Sequence, residues 1–308
     1  MVEKVSKIWM DGRFVDWDDA NVHILTHTLH YGLGAFEGIR SYKRDDGDSA
    51  VFRLEEHVAR LLESLKIAGL ESPFDKKTLV DACRECLIVN NLDEAYLRPL
   101  AYVGDGAMGL YAPNNPVRIA IIAWRWGAYL GDGALAKGIR AHVSSFNRNY
   151  VNAGMPKGKI IGHYVNSIMA KRAAKASGFD EAIMLDTNGY VAEASGENIF
   201  LVKNGIIKTP PYSAAILGGI TRDSIIQIAT DIGYTVDQCM FARDEMWLAD
   251  EVFMCGTAAE VTPVVEIDHR TIGAGVPGPV TKSVQSRFFD ILRGRTHDYD
   301  QWLSIYSI

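Results

Sequence analysis

Lys159 lies in the run Met155-Pro-Lys157-Gly-Lys159-Ile-Ile-Gly162-His-Tyr164, at the start of a helical pattern. Downstream follow Glu193-Ala-Ser-Gly-Glu197-Asn198, Gly218-Gly-Ile-Thr221-Arg-Asp223 and Cys255-Gly-Thr257-Ala-Ala-Glu260. A lysine amine can form a Schiff base with a carbonyl. An acid can keep a pyridine nitrogen protonated, and backbone N–H groups at small-residue turns and helix starts can hold a phosphate. One lysine, one or two acids and two Gly/Thr turns are therefore the parts needed to hold an aldehyde cofactor that carries a phosphate, such as pyridoxal phosphate.

Each part also has a plainer reading. Most lysines are solvated surface charges. Lys159 stands between Gly158 and Gly162 and before two isoleucines, where burial could lower its pKa towards nucleophilic use. Spacing alone leaves Lys157 as a competitor. Thr221 can be a simple N-cap, or the turn before it can receive a phosphate, and spacing does not choose. The Gly256-Thr257-Ala258-Ala259 turn offers amides to a phosphate or a carboxylate. Glu193 and Glu197 are hairpin acids unless something nearby needs their charge.

These residues must be positioned by a scaffold, and hydrophobic periodicity outlines it. Asp11-Gly12 between Lys7–Met10 and Arg13–Val15 is a type I′ hairpin signal. A strand is expected over 50–54, helices over 55–70 and 75–90, and apolar strands over 95–103 and 117–125. The Gly-rich stretch 127–137 reads as a linker. Beyond it, strands are expected over 138–146, 181–185, 190–193, 198–202, 235–240 and 252–254, with helices over 164–177, 221–232 and 279–292. Strands and helices do not alternate regularly, which favours α+β domains with mostly antiparallel sheets over a doubly wound fold. The expected division is a small α+β domain over 1–126, an interdomain loop over 127–137 and a large cofactor-binding domain over 138–308.

Composition narrows the class. The chain has 308 residues, 48% hydrophobic, and a formal net charge of −6, which gives no prior for nucleic acid or an anionic membrane. The N-terminus has no apolar signal core and no window approaches a membrane span, so a soluble cytoplasmic protein is expected. Cys83 and Cys86 form a C-x-x-C inside a helical pattern with no second ligand pair, and are read as buried thiols. Gly154 to Lys159 is one residue too short for a P-loop, and Gly32-Leu-Gly34 lacks the third glycine of a dinucleotide fingerprint. His23, His27 and His30 have no nearby acid to complete a metal set, and Asp45-Asp-Gly-Asp48 is too short for a calcium loop. No metal is expected.

Longer motifs carry a resemblance. They include Leu29-His-Tyr31-Gly-Leu-Gly-Ala-Phe36-Glu-Gly38-Ile-Arg40, Tyr96-Leu-Arg98-Pro99 and Trp126-Gly-Ala-Tyr129. They continue through Asp186-Thr-Asn-Gly189-Tyr-Val-Ala-Glu193-Ala-Ser-Gly-Glu-Asn198 and Leu248-Ala-Asp-Glu-Val-Phe-Met-Cys-Gly-Thr257-Ala-Ala-Glu-Val-Thr-Pro263. From Trp9 to about Phe289 the chain resembles the branched-chain amino acid aminotransferases, a branch of the class IV (fold type IV) pyridoxal phosphate enzymes. The resemblance implies the D-amino acid aminotransferase-like fold. It also selects Lys159 over Lys157, because the family's Schiff-base lysine lies five residues before the tyrosine, here Tyr164.

The same resemblance implies the other roles. Glu193 pairs with the pyridine nitrogen and Tyr164 with the ring oxygen. Arg60, Ile220, Thr221 and Thr257 hold the phosphate, and Leu217 packs on the ring. Tyr31, Phe36, Trp126 and Tyr129 wall the substrate, with Gly38 and Arg40 in the same motif. Tyr96, Arg98 and the Thr257-Ala258-Ala259 turn face the substrate carboxylate. The implied reaction is ping-pong amino transfer between Leu, Ile or Val and 2-oxoglutarate, with Lys159 as general base. An apolar pocket discriminates by only about 1–3 kcal/mol per methylene, so overlapping use of the three amino acids is expected. A homodimer is implied, with Tyr31 completing the neighbouring site, and a hexamer is an option.

Rivals around Lys159 and Glu193 are a D-amino acid aminotransferase, an aminodeoxychorismate lyase and an (R)-amine transaminase. The Tyr31…Phe36-Glu-Gly38 and Tyr96-x-Arg98 patterns favour the branched-chain L-enzyme, and the intact lysine argues against a non-catalytic binding protein. Two positions depart from the pattern: His163 replaces the usual Asn, and Gly218 replaces a common Pro. Gly218 should loosen its turn and slightly weaken cofactor retention.

Overall fold

Asp11 and Gly12 both adopt positive φ, 48° and 91°, which turns β1 (Lys7–Met10) straight into β2 (Arg13–Asp16) with Met10 opposite Arg13. This is the hairpin expected from the Asp-Gly pair. The computed structural model describes residues 2–127, 130 and 133–308, so part of the expected linker and Tyr129 lie outside the described residues. The chain divides into two compact units. The first comprises Met1–Gly127, Gly158–Gly162 and Asp290–Ile308; the second comprises Ala128–Lys157 and His163–Phe289.

In the first unit, α1 (His27–Tyr31), β3 (Gly34–Phe36), β4 (Ile39–Lys43) and β5 (Ser49–Phe52) precede α2 (Leu54–Ile67) and α3 (Lys76–Val89). Then come β6 (Ala95–Val103) and β7 (Val117–Trp124). Phe52 ends the strand expected over 50–54, because Arg53 takes φ 49° and Leu54 already begins α2. The sheet runs in the order C-terminal strand (Leu303–Tyr306), β5, β4, β6, β7, β1, β2, with β3 also on β6. Val58, Leu61 and Leu65 of α2 and Leu79, Cys83 and Cys86 of α3 are buried in its core. Asp75 accepts from the Thr78 N–H at 2.8 Å and so caps α3. Both thiols are free, and burial pushes Cys86 up to about 12.

β3 and β4 were not expected from the sequence. Both pair with β6, Phe36 opposite Leu100 and Ile39 opposite Leu97, with Glu37-Gly38 as the kink between them. The strands are too short to show alternation.

The second unit begins with α4 (Ala134–Lys137), β8 (Ile139–Val143) and α5 (Val151–Gly154). α6 (Tyr164–Ala176), β9 (Glu181–Leu185), β10 (Val191–Ala194), β11 (Asn198–Lys203) and β12 (Ile206–Thr209) follow. α7 (Ile220–Asp231), β13 (Thr235–Gln238), α8 (Arg243–Trp247), β14 (Glu251–Gly256), β15 (Glu260–Ile267), β16 (Arg270–Thr271) and α9 (Pro279–Leu292) complete it. The sheet order is β10-β9-β8-β15-β14-β11-β12-β13, with β16 on β15. β8 runs parallel to both neighbours and β12 parallel to β13; the other pairs are antiparallel. Glu251 caps α9, accepting from the N–H of Val280 at 3.0 Å and of Thr281 at 2.7 Å. The fold is α+β, as expected.

Candidate active site

In the first unit the segment 158–162 is fixed by its backbone. The Lys159 N–H donates to Ser64 Oγ at 2.9 Å, and the Lys159 carbonyl accepts from the Phe36 N–H at 3.1 Å. Ile160 bridges Ala35, and the Gly162 N–H donates to the Gly32 carbonyl at 3.0 Å. Any Cβ on Gly32 would lie 3.1 Å from Gly162 Cα, which explains the glycine pair. Lys159 is thus held on a strand-like rail while its side chain is partly exposed. Its Nζ stands 4.9 Å from the centroid of the Phe36 ring.

Glu37, in the β3–β4 kink, is fully buried and receives the Arg60 fork, Nε at 2.7 Å and Nη2 at 2.8 Å. His57 Nδ1 lies 2.7 Å from the same carboxylate. Burial alone would raise the Glu37 pKa; the Arg60 guanidinium and the His57 hydrogen bond overcome it and hold the carboxyl well below its usual range. Burial in turn keeps the His57 pKa below its ordinary value, so the imidazole is a neutral donor. Two donors of Arg60, the expected phosphate ligand, are therefore committed to Glu37.

Arg98 stands over aromatic rings, its Cζ 4.6 Å from the Phe36 centroid and 5.3 Å from that of Tyr96. Its Nη2 donates to Tyr96 Oη at 3.1 Å, while its buried Nε has no hydrogen-bond partner among the described residues. Trp126 meets Tyr96 edge-on at 4.4 Å. Gly38 is required here, since a Cβ would fall 1.9 Å from Tyr96 Oη. Arg40 pairs with Glu94 at 3.7 Å and stacks on Tyr42. Tyr31 is exposed, and its hydroxyl accepts from the Gly109 N–H at 3.1 Å.

In the second unit the organising group is Glu193, on β10 and nearly buried. Arg148 Nη2 lies 2.7 Å from Oε1. Asn198 Nδ2 donates to Oε2 at 3.0 Å, and so does the Leu217 N–H at 3.1 Å. A buried guanidinium and two neutral donors favour the charged carboxylate over the acid. Arg148 is itself fixed by Ser167 Oγ, at 3.1 Å from Nη1, on the helix that Tyr164 begins. Asn198 also donates to the Leu217 carbonyl at 3.0 Å, tying β11 to the approach to α7.

α7 starts at Ile220 with Gly219 as its N-cap, a residue that has no side chain of its own to cap with. A Cβ on Gly219 would sit 1.9 Å from Asn198 Oδ1, so the backbone there must stay bare. Ile220 and Thr221 are buried, whereas Leu217, Gly218 and Gly219 are partly exposed. Thr257, Ala258 and Ala259 form the turn that joins β14 to β15, where Gly256 pairs with Glu260. The first unit therefore gathers Lys159, Phe36, Arg60, Tyr96, Arg98 and Trp126. The second gathers Glu193, Leu217, Ile220 and Thr221.

Residues 34–267 match the amino-transferase class IV family. A branched-chain-amino-acid aminotransferase of Pseudomonas aeruginosa is 46% identical over 99% of both chains. The crystal structure of the Escherichia coli branched-chain amino acid aminotransferase superposes with a TM-score of 0.96 at 44% identity, covering 98% of this chain and 99% of that one. The chain belongs to the branched-chain-amino-acid aminotransferases of class IV. The branched-chain amino acid aminotransferase from Thermobaculum terrenum, solved in its PLP-form, has a TM-score of 0.94 at 30% identity, covering 99% of this chain and 100% of that one.

This class IV aminotransferase fits pyridoxal phosphate by its own donor set. The first unit carries a lysine amine on a fixed backbone; the second carries a buried carboxylate beside a guanidinium and a helix N-terminus whose N-cap glycine leaves no room for a Cβ unless Asn198 moves, and each is chemistry that suits the cofactor. The sequence reading missed Glu37, His57, Arg148 and the Asn198 contact. Glu37 and Asn198 do have a sequence signal, since they lie within the Phe36-Glu-Gly38 and Glu193-to-Asn198 motifs. Arg148 and His57 carry no sequence signal, because burial is what separates them from surface polar residues.

Proposed function

We propose that this chain catalyses reversible amino transfer between L-leucine, L-isoleucine or L-valine and 2-oxoglutarate, giving branched 2-oxo acids and glutamate. When bound, pyridoxal phosphate supplies the carbonyl that exchanges amino groups and a ring that draws electrons from the reacting carbon. Lys159 anchors it, and the lysine Nζ takes the substrate's Cα proton. Glu193, backed by Arg148, holds a proton on the ring nitrogen. The first amides of α7, Thr221, Thr257 and Arg60 hold the phosphate, Tyr164 the ring oxygen and Leu217 a ring face. Arg98 binds a carboxylate, and its fork suits the second carboxylate of 2-oxoglutarate. Tyr31, Phe36, Gly38, Arg40, Tyr96, Trp126 and Tyr129, with Ala258 and Ala259, shape the substrate side.

The observation that carries this reading is the Glu193 carboxylate with Arg148, Asn198 and the Leu217 N–H on it, next to the approach to α7, whose N-cap is a glycine. We further propose a cytoplasmic homodimer. No described helix is long and apolar enough to cross a membrane, and Leu110 and Tyr111 of the first unit stand exposed. The deciding experiment is the visible spectrum of the cofactor-loaded protein. The band should bleach with L-leucine and return with 2-oxoglutarate as glutamate appears. Bleaching by D-alanine but not L-leucine would overturn the substrate assignment, and no band with added cofactor would overturn the whole reading.

A further inference from the structure

Lys157, two residues before Lys159, makes contacts of a different kind. Its Nζ donates to the carbonyls of Tyr212, of Ala214 at 2.9 Å and of Ile216 at 3.0 Å. An ammonium has three donors, and each has an acceptor here. The same Nζ stands 4.3 Å from the centroid of the Tyr212 ring. Burial draws its pKa below the ordinary lysine value, with Glu193 opposing.

The loop held this way leads directly into the site. Ala214, Ala215 and Ile216 are buried, and the next residue, Leu217, donates its N–H to Glu193 while its carbonyl accepts from Asn198 Nδ2. Gly219 then caps α7. The Tyr212 ring lies over Gly218: a Cβ there would meet Tyr212 Cε2 at 2.7 Å. Gly218 should loosen this turn on sequence grounds, but here it makes room for the ring that Lys157 holds. The stiffness a proline would build into the backbone comes instead from outside it.

We propose that Lys157 and Tyr212 are positioning residues: a cation–aromatic clamp that fixes Leu217–Gly219, and through it the Glu193 carboxylate and the phosphate-binding start of α7. This rests on the cofactor reading above. Without the ammonium, the carbonyls of Tyr212 and Ile216 lose this donor, while that of Ala214 keeps the Ile216 N–H at 2.8 Å, and the loop must turn to bring the first two to water, which carries Leu217 with it.

The test compares wild type with Lys157→Met, Lys157→Arg and Tyr212→Leu. For each, it measures the pyridoxal phosphate dissociation constant by equilibrium dialysis, the pH midpoint of the visible band, and melting of the cofactor-free protein. Lys157→Met should weaken cofactor binding about tenfold or more and shift the band midpoint. Lys157→Arg should recover part of both losses, and Tyr212→Leu should weaken binding less than Lys157→Met. In addition, Gly218→Ala should weaken binding in the wild-type background but not beside Tyr212→Leu, where its methyl has room. Unchanged affinity and midpoint in Lys157→Met would overturn the clamp. If that variant does not fold, unchanged values in Tyr212→Leu would overturn it. A wild type that binds no cofactor would instead sink the reading on which the clamp rests.

Discussion

Arg148 determines what kind of acid Glu193 is. The guanidinium 2.7 Å away stabilises the charged form of the carboxylate against the cost of burial. Arg148→Met should leave the buried carboxylate without the guanidinium that pairs with it, a change that typically costs about 3–5 kcal/mol. The expected result is a lower midpoint in urea and a fall in kcat of more than tenfold, read from denaturation curves and initial rates. A second buried carboxyl behaves oppositely. Glu197 is pushed up to about 8, first by burial and then by the nearby Glu181, which Lys171 pairs and Ser195 Oγ contacts at 2.5 Å. In the folded state Glu197 therefore holds a proton that the unfolded chain releases above its ordinary value of 4.5. Its contribution is fully present below that value and is lost as pH rises towards 8. Glu197→Gln should flatten the decline in stability over that window, measured by melting at a series of pH values.

At the scale of elements, the kink between β3 and β4 organises the first unit's share of the chemistry. It points Phe36 at Lys159 and Arg98, and buries Glu37 against Arg60. Gly38→Ala should displace the Tyr96 hydroxyl and with it Arg98, since the new methyl has no space. An ångström-scale shift of such groups can cost up to about a hundredfold. We expect kcat/KM for 2-oxoglutarate to fall ten- to hundredfold while the visible cofactor band persists, as steady-state kinetics and absorbance would show. This kink also marks where sequence reasoning stopped. Asp11-Gly12 announces its hairpin by turn chemistry, and 279–292 announces α9 by periodicity and an early proline. Three-residue β3 has neither, and Glu37 reads as a surface acid until its fold buries it. Likewise the types and order of Lys159, Glu193 and Gly219 were legible, but Arg148 and Lys157 act through contacts between distant segments, which no local pattern encodes.

At the scale of the whole molecule, cofactor binding and folding are linked. A ligand that binds only the folded state adds about 2.7 kcal/mol at one hundred times its dissociation constant. The melting temperature should therefore rise with added pyridoxal phosphate by several degrees, and the Lys159→Ala variant should show a much smaller rise; calorimetry of both would check this. The first unit is also discontinuous: its β5 edge is closed by Leu303–Tyr306, and Tyr306 Oη meets Ser41 Oγ at 2.7 Å across 265 positions of sequence. On a ribosome adding 5–20 residues per second, β5 waits roughly 10–50 s for its partner. Throughout that interval an apolar edge, Ser49-Ala-Val-Phe52, stands open to other nascent chains. A protein that begins its first sheet early and finishes it last depends, during synthesis, on whatever shields that edge in the meantime.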